Sequence, residues 1–191
     1  MAPTNPAGAP QVSRRPVLLS HGASGSAATM MPWVRGLADR GITTAETVPR
    51  EGKLPMRAEK AIEVFREQLA GRNDAVIGGV SYGGRVASML AAQDGVAGLV
   101  LLSYPLHPPG KPEQQRIEHL PRIACPVLFL SGEADPFARL DLLRQATGLL
   151  PQAELHTYPK VGHGLTRDAR VFSDALDRVA AFWRRCGSAE P

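Results

Sequence analysis

Short apolar runs alternate with longer amphipathic ones along most of the chain. Residues 16–20, 42–48, 75–80, 96–103, 126–131 and 153–158 are strand-length stretches rich in Val, Leu and Ile, and the last alternates in part. Between them lie segments of helical period. Residues 29–40 carry Met30, Trp33, Val34 and Leu37 on one face, with Pro32 expected in the first turn and Gly41 as terminator. Residues 57–69 gather Ala58, Ala61, Ile62, Phe65 and Leu69 on one face, closed by Gly71. Further helices are expected from 84 to about 93, over 140–150 up to Pro151, and over 168–185 with Val171, Phe172, Ala175, Leu176, Val179 and Phe182 inward. This alternation predicts an α/β fold: a mostly parallel sheet of about six strands with helices on both faces. Residues 104–121 break the rhythm with Pro105, Pro108, Pro109, Gly110, Pro112 and Pro121, leaving room for one helical turn around 113–118. Residues 1–13, rich in Ala and Pro, read as a disordered leader, 14–186 as a single domain, and 187–191 as a frayed tail.

Composition narrows the function classes. With 43% hydrophobic and 21% charged residues in 191, the chain has the make-up of a soluble domain that buries one core. The formal charge of +4 comes from scattered basic residues, with no basic stripe interleaved with aromatics, so nucleic acid is not an expected partner. No apolar run reaches the roughly 18–20 residues of a membrane span, so no membrane partner is expected. Cys125 and Cys186 are far apart in unlike contexts, which argues against a disulfide framework and for a reducing, cytoplasmic compartment. Neither a C-x-x-C nor an H-E-x-x-H spacing occurs, and neither a metal nor a cofactor is expected.

The strongest chemical signal is Gly79-Val80-Ser81-Tyr82-Gly83, a G-x-S-x-G motif set between an apolar strand run and a small-residue helix. A serine on a sharp strand-to-helix turn has a strained backbone, and side chains two residues to either side would collide; Gly79 and Gly83 remove them. The blander alternative is a glycine-rich turn with an idle serine. A serine nucleophile needs a base, and the base needs an orienting acid. Of His21, His107, His119, His156 and His163, only His163 sits between glycines on the loop after the last strand run, where it can fold over the sheet edge. The acid is expected at Asp135, after the 126–131 run; Glu133 is its rival, and capping of the next helix is its alternative role. The chain order Ser81…Asp135…His163 is the order hydrolases of this kind use. Oxyanion donors are expected from the amides of Tyr82 and of Ala23, the latter in the turn after the first strand run. That turn is otherwise an ordinary glycine loop.

These segments resemble the α/β-hydrolase superfamily over about residues 15–184. They look most like its small, capless dienelactone-hydrolase-like group. His21-Gly22-Ala23-Ser24-Gly25, Gly79–Gly84 and Val161-Gly162-His163-Gly164-Leu165 carry the likeness. The stretch from Ser103 to Lys111, the 125–132 run and Asp135-Pro136-Phe137 are similar to a subgroup that includes hydrolase-like subunits of chromatin complexes and uncharacterised bacterial proteins. The resemblance implies a three-layer α/β-hydrolase fold without a cap domain and a Ser81–Asp135–His163 triad. Dienelactone hydrolases use a cysteine nucleophile, and Ser81 departs from that, which argues against a dienelactone substrate.

The expected function is a serine hydrolase acting on a small acyl substrate, an ester or thioester, at an open, shallow site. The alternatives are a non-catalytic interaction module on the same fold and a small amidase or peptidase. His21, Tyr104 and His107, close to strand ends, are expected to border the pocket. Arg85, one helical turn past Ser81, is expected to pair with a carboxylate on an inner loop, the alternative being contact with an anionic substrate.

Overall fold

The structure, a computed structural model, describes residues 15–186; the expected leader and tail lie outside the described residues. Six strands form one parallel sheet: β1 (Val17–Ser20), β2 (Ala45–Val48), β3 (Val76–Val80), β4 (Gly98–Leu102), β5 (Val127–Gly132) and β6 (Ala153–Tyr158), in the order β2-β1-β3-β4-β5-β6. Five helices connect them: α1 (Ala27–Ala38), α2 (Ala58–Leu69), α3 (Tyr82–Ala91), α4 (Leu140–Thr147) and α5 (Ala169–Arg185).

Period-two alternation divides the core between the two faces of the sheet. Leu99 and Leu101 of β4, with Val127 and Phe129 of β5, pack on α2, α3 and α4. Val100, Leu102, Leu128 and Leu130 face the other way, toward Met30, Trp33 and Leu37 of α1 and Ala175, Leu176 and Val179 of α5. Both faces are covered, so the inner strands read as unbroken apolar runs. On the α1/α5 face the helices pack closely at Gly36, where a Cβ would fall 2.4 Å from Leu176 Cδ1.

Element limits differ from the sequence expectation where local hydrogen bonds outweigh apolar pattern. Helix α1 starts two residues early because Thr29 Oγ1 accepts the Ser26 N–H at 3.1 Å, which puts Pro32 inside the helix and not in its first turn. Ile42 is buried but not in β2: its N–H donates to Leu37 O and seals the end of α1. The helical turn expected at 113–118 does not form; a 3-10 turn at Leu120–Arg122 carries Pro121 instead. The β4–β5 connection remains a short loop with no cap domain. Its Leu106 and Leu120 are buried in the core under α3.

Strand order reverses between β1 and β3, since β1 leads out to β2 on one side while β3 leads to β4 on the other. A crevice opens beyond the carboxyl ends at such a switch point. The turns after β1 and β3 flank it.

Candidate active site

Ser81 follows β3 directly and stands at φ 50°, ψ −116°, a backbone state most L-residues avoid. Two glycines permit it. A Cβ on Gly79 would lie 2.4 Å from Ser20 O, and one on Gly83 would lie 2.6 Å from His21 O and 2.7 Å from Ser20 O. The collisions they avoid are therefore mainly with the backbone at the end of β1, so the elbow sits hard against the neighbouring strand. The Ser81 hydroxyl makes no bond to the α3 amides it precedes. It donates instead to His163 Nε2 at 2.8 Å. His163 Nδ1–H donates to Asp135 Oδ2, also at 2.8 Å, which fixes the imidazole tautomer.

Asp135 is fully buried at its side chain. Its other oxygen accepts the Phe137 N–H at 2.8 Å, so both carboxylate oxygens are satisfied. The alternative capping role is corrected: α4 starts five residues later, with Arg139 at its N-cap position. Glu133, the rival acid, is exposed and accepts from Thr157 Oγ1. Phe137 lies against the His163 ring, centroids 4.4 Å apart, and holds its plane.

The loop carrying His163 does not depend on its own glycines. A Cβ on Gly162 or Gly164 would meet only ordinary contacts, at 3.8 and 3.9 Å. The glycine that matters is Gly132, where a Cβ would fall 2.1 Å from Val161 O and 2.5 Å from Gly162 O. The loop after β6 lies across that bare spot and is fastened by Ala134 N–H to Val161 O at 2.9 Å.

The turn after β1 also reaches Ser81: a Cβ on Gly22 would sit 3.5 Å from Ser81 Cβ. Ala23 is exposed in this turn and lines the same cleft as Ser81 and His163. Tyr82 begins α3, and its amide belongs to a first turn without intrahelical acceptors; Arg85 N–H is the first to close, on Ser81 O at 3.0 Å.

A family model described as an alpha/beta hydrolase domain matches residues 13–186. The chain belongs to the alpha/beta hydrolase family. Solved structures of similar shape include one reported for the metagenome-derived lipolytic enzymes LipS and LipT, at 19% identity over 91% of this chain and 94% of that one, TM-score 0.74. A monoacylglycerol lipase from Paleococcus ferrophilus is 13% identical over 90% and 96% of the two chains, TM-score 0.73. A thermophilic esterase from Thermogutta terrifontis is 16% identical over 90% of each, TM-score 0.69.

In this hydrolase the cleft measures about 490 Å³. Its wall on the α1 side is apolar, from Met30, Trp33, Val80, Leu102 and Leu165. Three expected pocket residues are corrected, because burial and hydrogen bonding occupy them elsewhere. His21 is 1% exposed; its Nε2 accepts the Leu54 N–H at 2.8 Å and its Nδ1–H donates to Gly22 O. It pins the β2–α2 loop to the turn after β1. His107 is also buried, accepts the Arg139 N–H at 3.0 Å and donates to Pro108 O, which braces the turn bearing Asp135. Tyr104 is 1% exposed; its hydroxyl donates to Arg116 O and closes the 104–116 loop. Burial pushes that phenol up to about 12. Arg85 makes no ion pair among the described residues, so the expected carboxylate partner is absent.

Several cleft residues escaped the sequence reading. Trp33 and Met30 were assigned to the core, where they do pack, yet they also form the cleft wall. Phe137 follows Asp135 by two residues and figures only in the family likeness, with no place in the site expected of it. Ser103 repeats at the end of β4 what Ser81 does at the end of β3, with φ 50° and a buried hydroxyl lacking a protein partner. Arg167 lies just past the His163 loop and carries no motif.

Proposed function

We propose that this protein is a serine hydrolase that cleaves small ester or thioester substrates through an acyl-enzyme on Ser81. The observation carrying this reading is the unbroken line from Ser81 Oγ to His163 Nε2 and from His163 Nδ1 to Asp135 Oδ2, each 2.8 Å, at the mouth of an apolar cleft. Ser81 Oγ attacks the carbonyl carbon while its proton passes to His163 Nε2. Asp135 stabilises the imidazolium, and the Ala23 and Tyr82 amides receive the oxyanion. The carbon–oxygen or carbon–sulfur bond to the leaving group then breaks, and that group takes the proton from His163. Water, deprotonated by His163, attacks the acyl carbon and frees Ser81.

The likeness of the quoted motifs to the capless dienelactone-hydrolase-like group, with serine in place of cysteine, supports a small acyl substrate. The names of the lipolytic and esterase neighbours agree with ester substrates. A cleft of about 490 Å³ lies within the usual range for small-molecule sites and accepts a short acyl group together with its leaving group. The free thiols of Cys125 and Cys186 suit work in the cytoplasm. No helix among the described residues is long and apolar enough to cross a membrane.

The test is a panel of p-nitrophenyl esters with a matched anilide. Best turnover is expected on acyl chains of about two to four carbons, given a cleft of about 490 Å³ and no cap among the described residues. Fastest turnover on eight carbons or more would reject the small-substrate reading. Faster anilide cleavage would assign an amidase, and no Ser81-dependent turnover would assign a binding module.

A further inference from the structure

We infer that Arg167 makes the cleft selective for substrates that carry an anionic group, a carboxylate above all, on the small ester itself. The inference rests on the hydrolase reading for its chemistry, but its physical basis is the charge of the cleft. Among the described residues, His163 and Arg167 are the only ionisable ones lining it, and no Asp or Glu does so. Asp135 is sealed behind His163 with both oxygens engaged.

Arg167 is exposed and makes neither an ion pair nor a hydrogen bond among the described residues. Arg40, Arg50, Arg66, Arg72, Arg139, Arg178 and Arg185 each pair with a carboxylate. Arg35, Arg57, Arg122, Arg144 and Arg170 share with Arg167 the lack of an ion pair among the described residues, but of these six only Arg167 lines the cleft. The adjacent carboxylate, Asp168, is occupied: its Oδ1 accepts the Arg170 and Val171 amides and caps α5. The side chain of Arg167 folds back over the loop, with Nε 3.9 Å from where a Cβ on Gly164 would stand, one residue from His163. A guanidinium with free donors at the rim of a cleft that has no acidic lining residue recognises a planar carboxylate by paired donors.

The rest of the cleft reinforces the sign. The first turns of α1 and α3 contain no acidic residue, and both helices start at the cleft. A carboxylate entering it therefore meets the Arg167 charge and two helix N-termini, with Asp135 set behind His163 and outside the lining. The preferred substrate is then a short ester with a second, ionised acid group, such as a half-ester of a small dicarboxylic acid. An anion on the alcohol portion would satisfy the same guanidinium.

Two readouts separate this inference from the hydrolase reading. In the full-length Ser81→Ala protein, which cannot form the acyl-enzyme, binding of monoethyl succinate and of ethyl butyrate is followed by NMR titration. The half-ester should bind about two- to fivefold more tightly at low salt, consistent with an exposed charge pair. Arg167→Gln on that background should abolish the difference, Arg167→Lys should restore part of it, and 0.5 M salt should shrink it. In the Ser81 protein, the ratio of kcat/KM for the two esters should fall by a similar factor on Arg167→Gln. Butyryloxyacetate replaces monoethyl succinate to tell an anion on the alcohol from one on the acyl chain, and preference for either upholds the inference. Equal binding of charged and neutral esters, or a preference untouched by Arg167→Gln, would overturn it even if ethyl butyrate is hydrolysed. Arg167-dependent binding without any turnover would uphold it and remove the hydrolase reading.

Discussion

Replacing Gly132 with alanine should dismantle the active site from behind. The added Cβ would stand 2.1 Å from Val161 O and 2.5 Å from both Val161 C and Gly162 O. All three are backbone atoms, so no rotamer change relieves the overlap. Restoring ordinary contact from 2.1 Å means moving the loop by about 1.3 Å. Gly132 itself yields little of that distance, because it is in register with Tyr158 of β6, and β4 holds β5 up to Leu130 just before it. The loop must lift, taking with it the Ala134–Val161 bond of 2.9 Å and the two 2.8 Å bonds of His163. Overpacking of this kind costs about 1–3 kcal/mol. In a chain of this size that lowers Tm by about 2–4 °C per kcal/mol. Moving a reacting group by about 1 Å costs about 10²-fold in rate. Gly132→Ala should therefore lose about two orders of magnitude in kcat/KM on a short ester while remaining folded at 25 °C. Gly162→Ala is the control: its Cβ would meet only Ala134 O at 3.8 Å, and activity and Tm should stay near those of the parent. Ester kinetics with thermal unfolding by circular dichroism provide the assay. A fully active Gly132→Ala, or a Gly162→Ala protein as impaired, would refute the argument that the bare site on β5 seats the His163 loop.

Two further outcomes follow from the same geometry. Asp135→Asn leaves an acceptor for the Phe137 amide but removes the charge facing His163 Nδ1, so kcat should fall by roughly 10³- to 10⁴-fold, and a loss below tenfold in steady-state assays would speak against Asp135 as the orienting acid. Burial, with repulsion from Arg85 as a lesser cause, pushes His119 from 6.5 down to about 4, where it shares a 2.7 Å bond with Ser88 Oγ. Folding thus favours the neutral ring: its contribution is whole above pH 6.5 and is lost as pH falls toward 4, to a total of about 3 kcal/mol. Urea midpoints at pH 7 and pH 4.5 should diverge less in His119→Gln than in the parent, and equal divergence would contradict the assignment.

The sheet and its order of elements were legible because both faces are covered. Buried strands such as 98–102 and 127–132 then appear as unbroken apolar runs, and helices such as 58–69 keep one clean stripe. Ser81 announced itself through a local steric rule, and Asp135 and His163 through their positions after successive strands. What the chain concealed depends on contacts distant in sequence. The flanking glycines of His163 drew attention away from the one that matters, since the close approach of that loop occurs at Gly132 in β5, about thirty residues earlier and visible only once β5 and β6 lie side by side. His21 and His107 looked like pocket residues because they follow strand ends, yet each fastens a backbone amide from another loop, Leu54 and Arg139. Apolar periodicity likewise cannot tell that Trp33, fully at home in the core, also shapes a cleft wall.

The central claim is that Ser81 is a nucleophile activated by His163. Its most direct test is the intact mass of the folded protein after exposure to an active-serine fluorophosphonate, with the modified peptide sequenced. The account predicts one stoichiometric adduct on Ser81, absent in Ser81→Ala, absent after denaturation, and slowed at least a hundredfold in His163→Ala. A folded protein that stays unmodified at Ser81, or one labelled equally fast without His163, would contradict it.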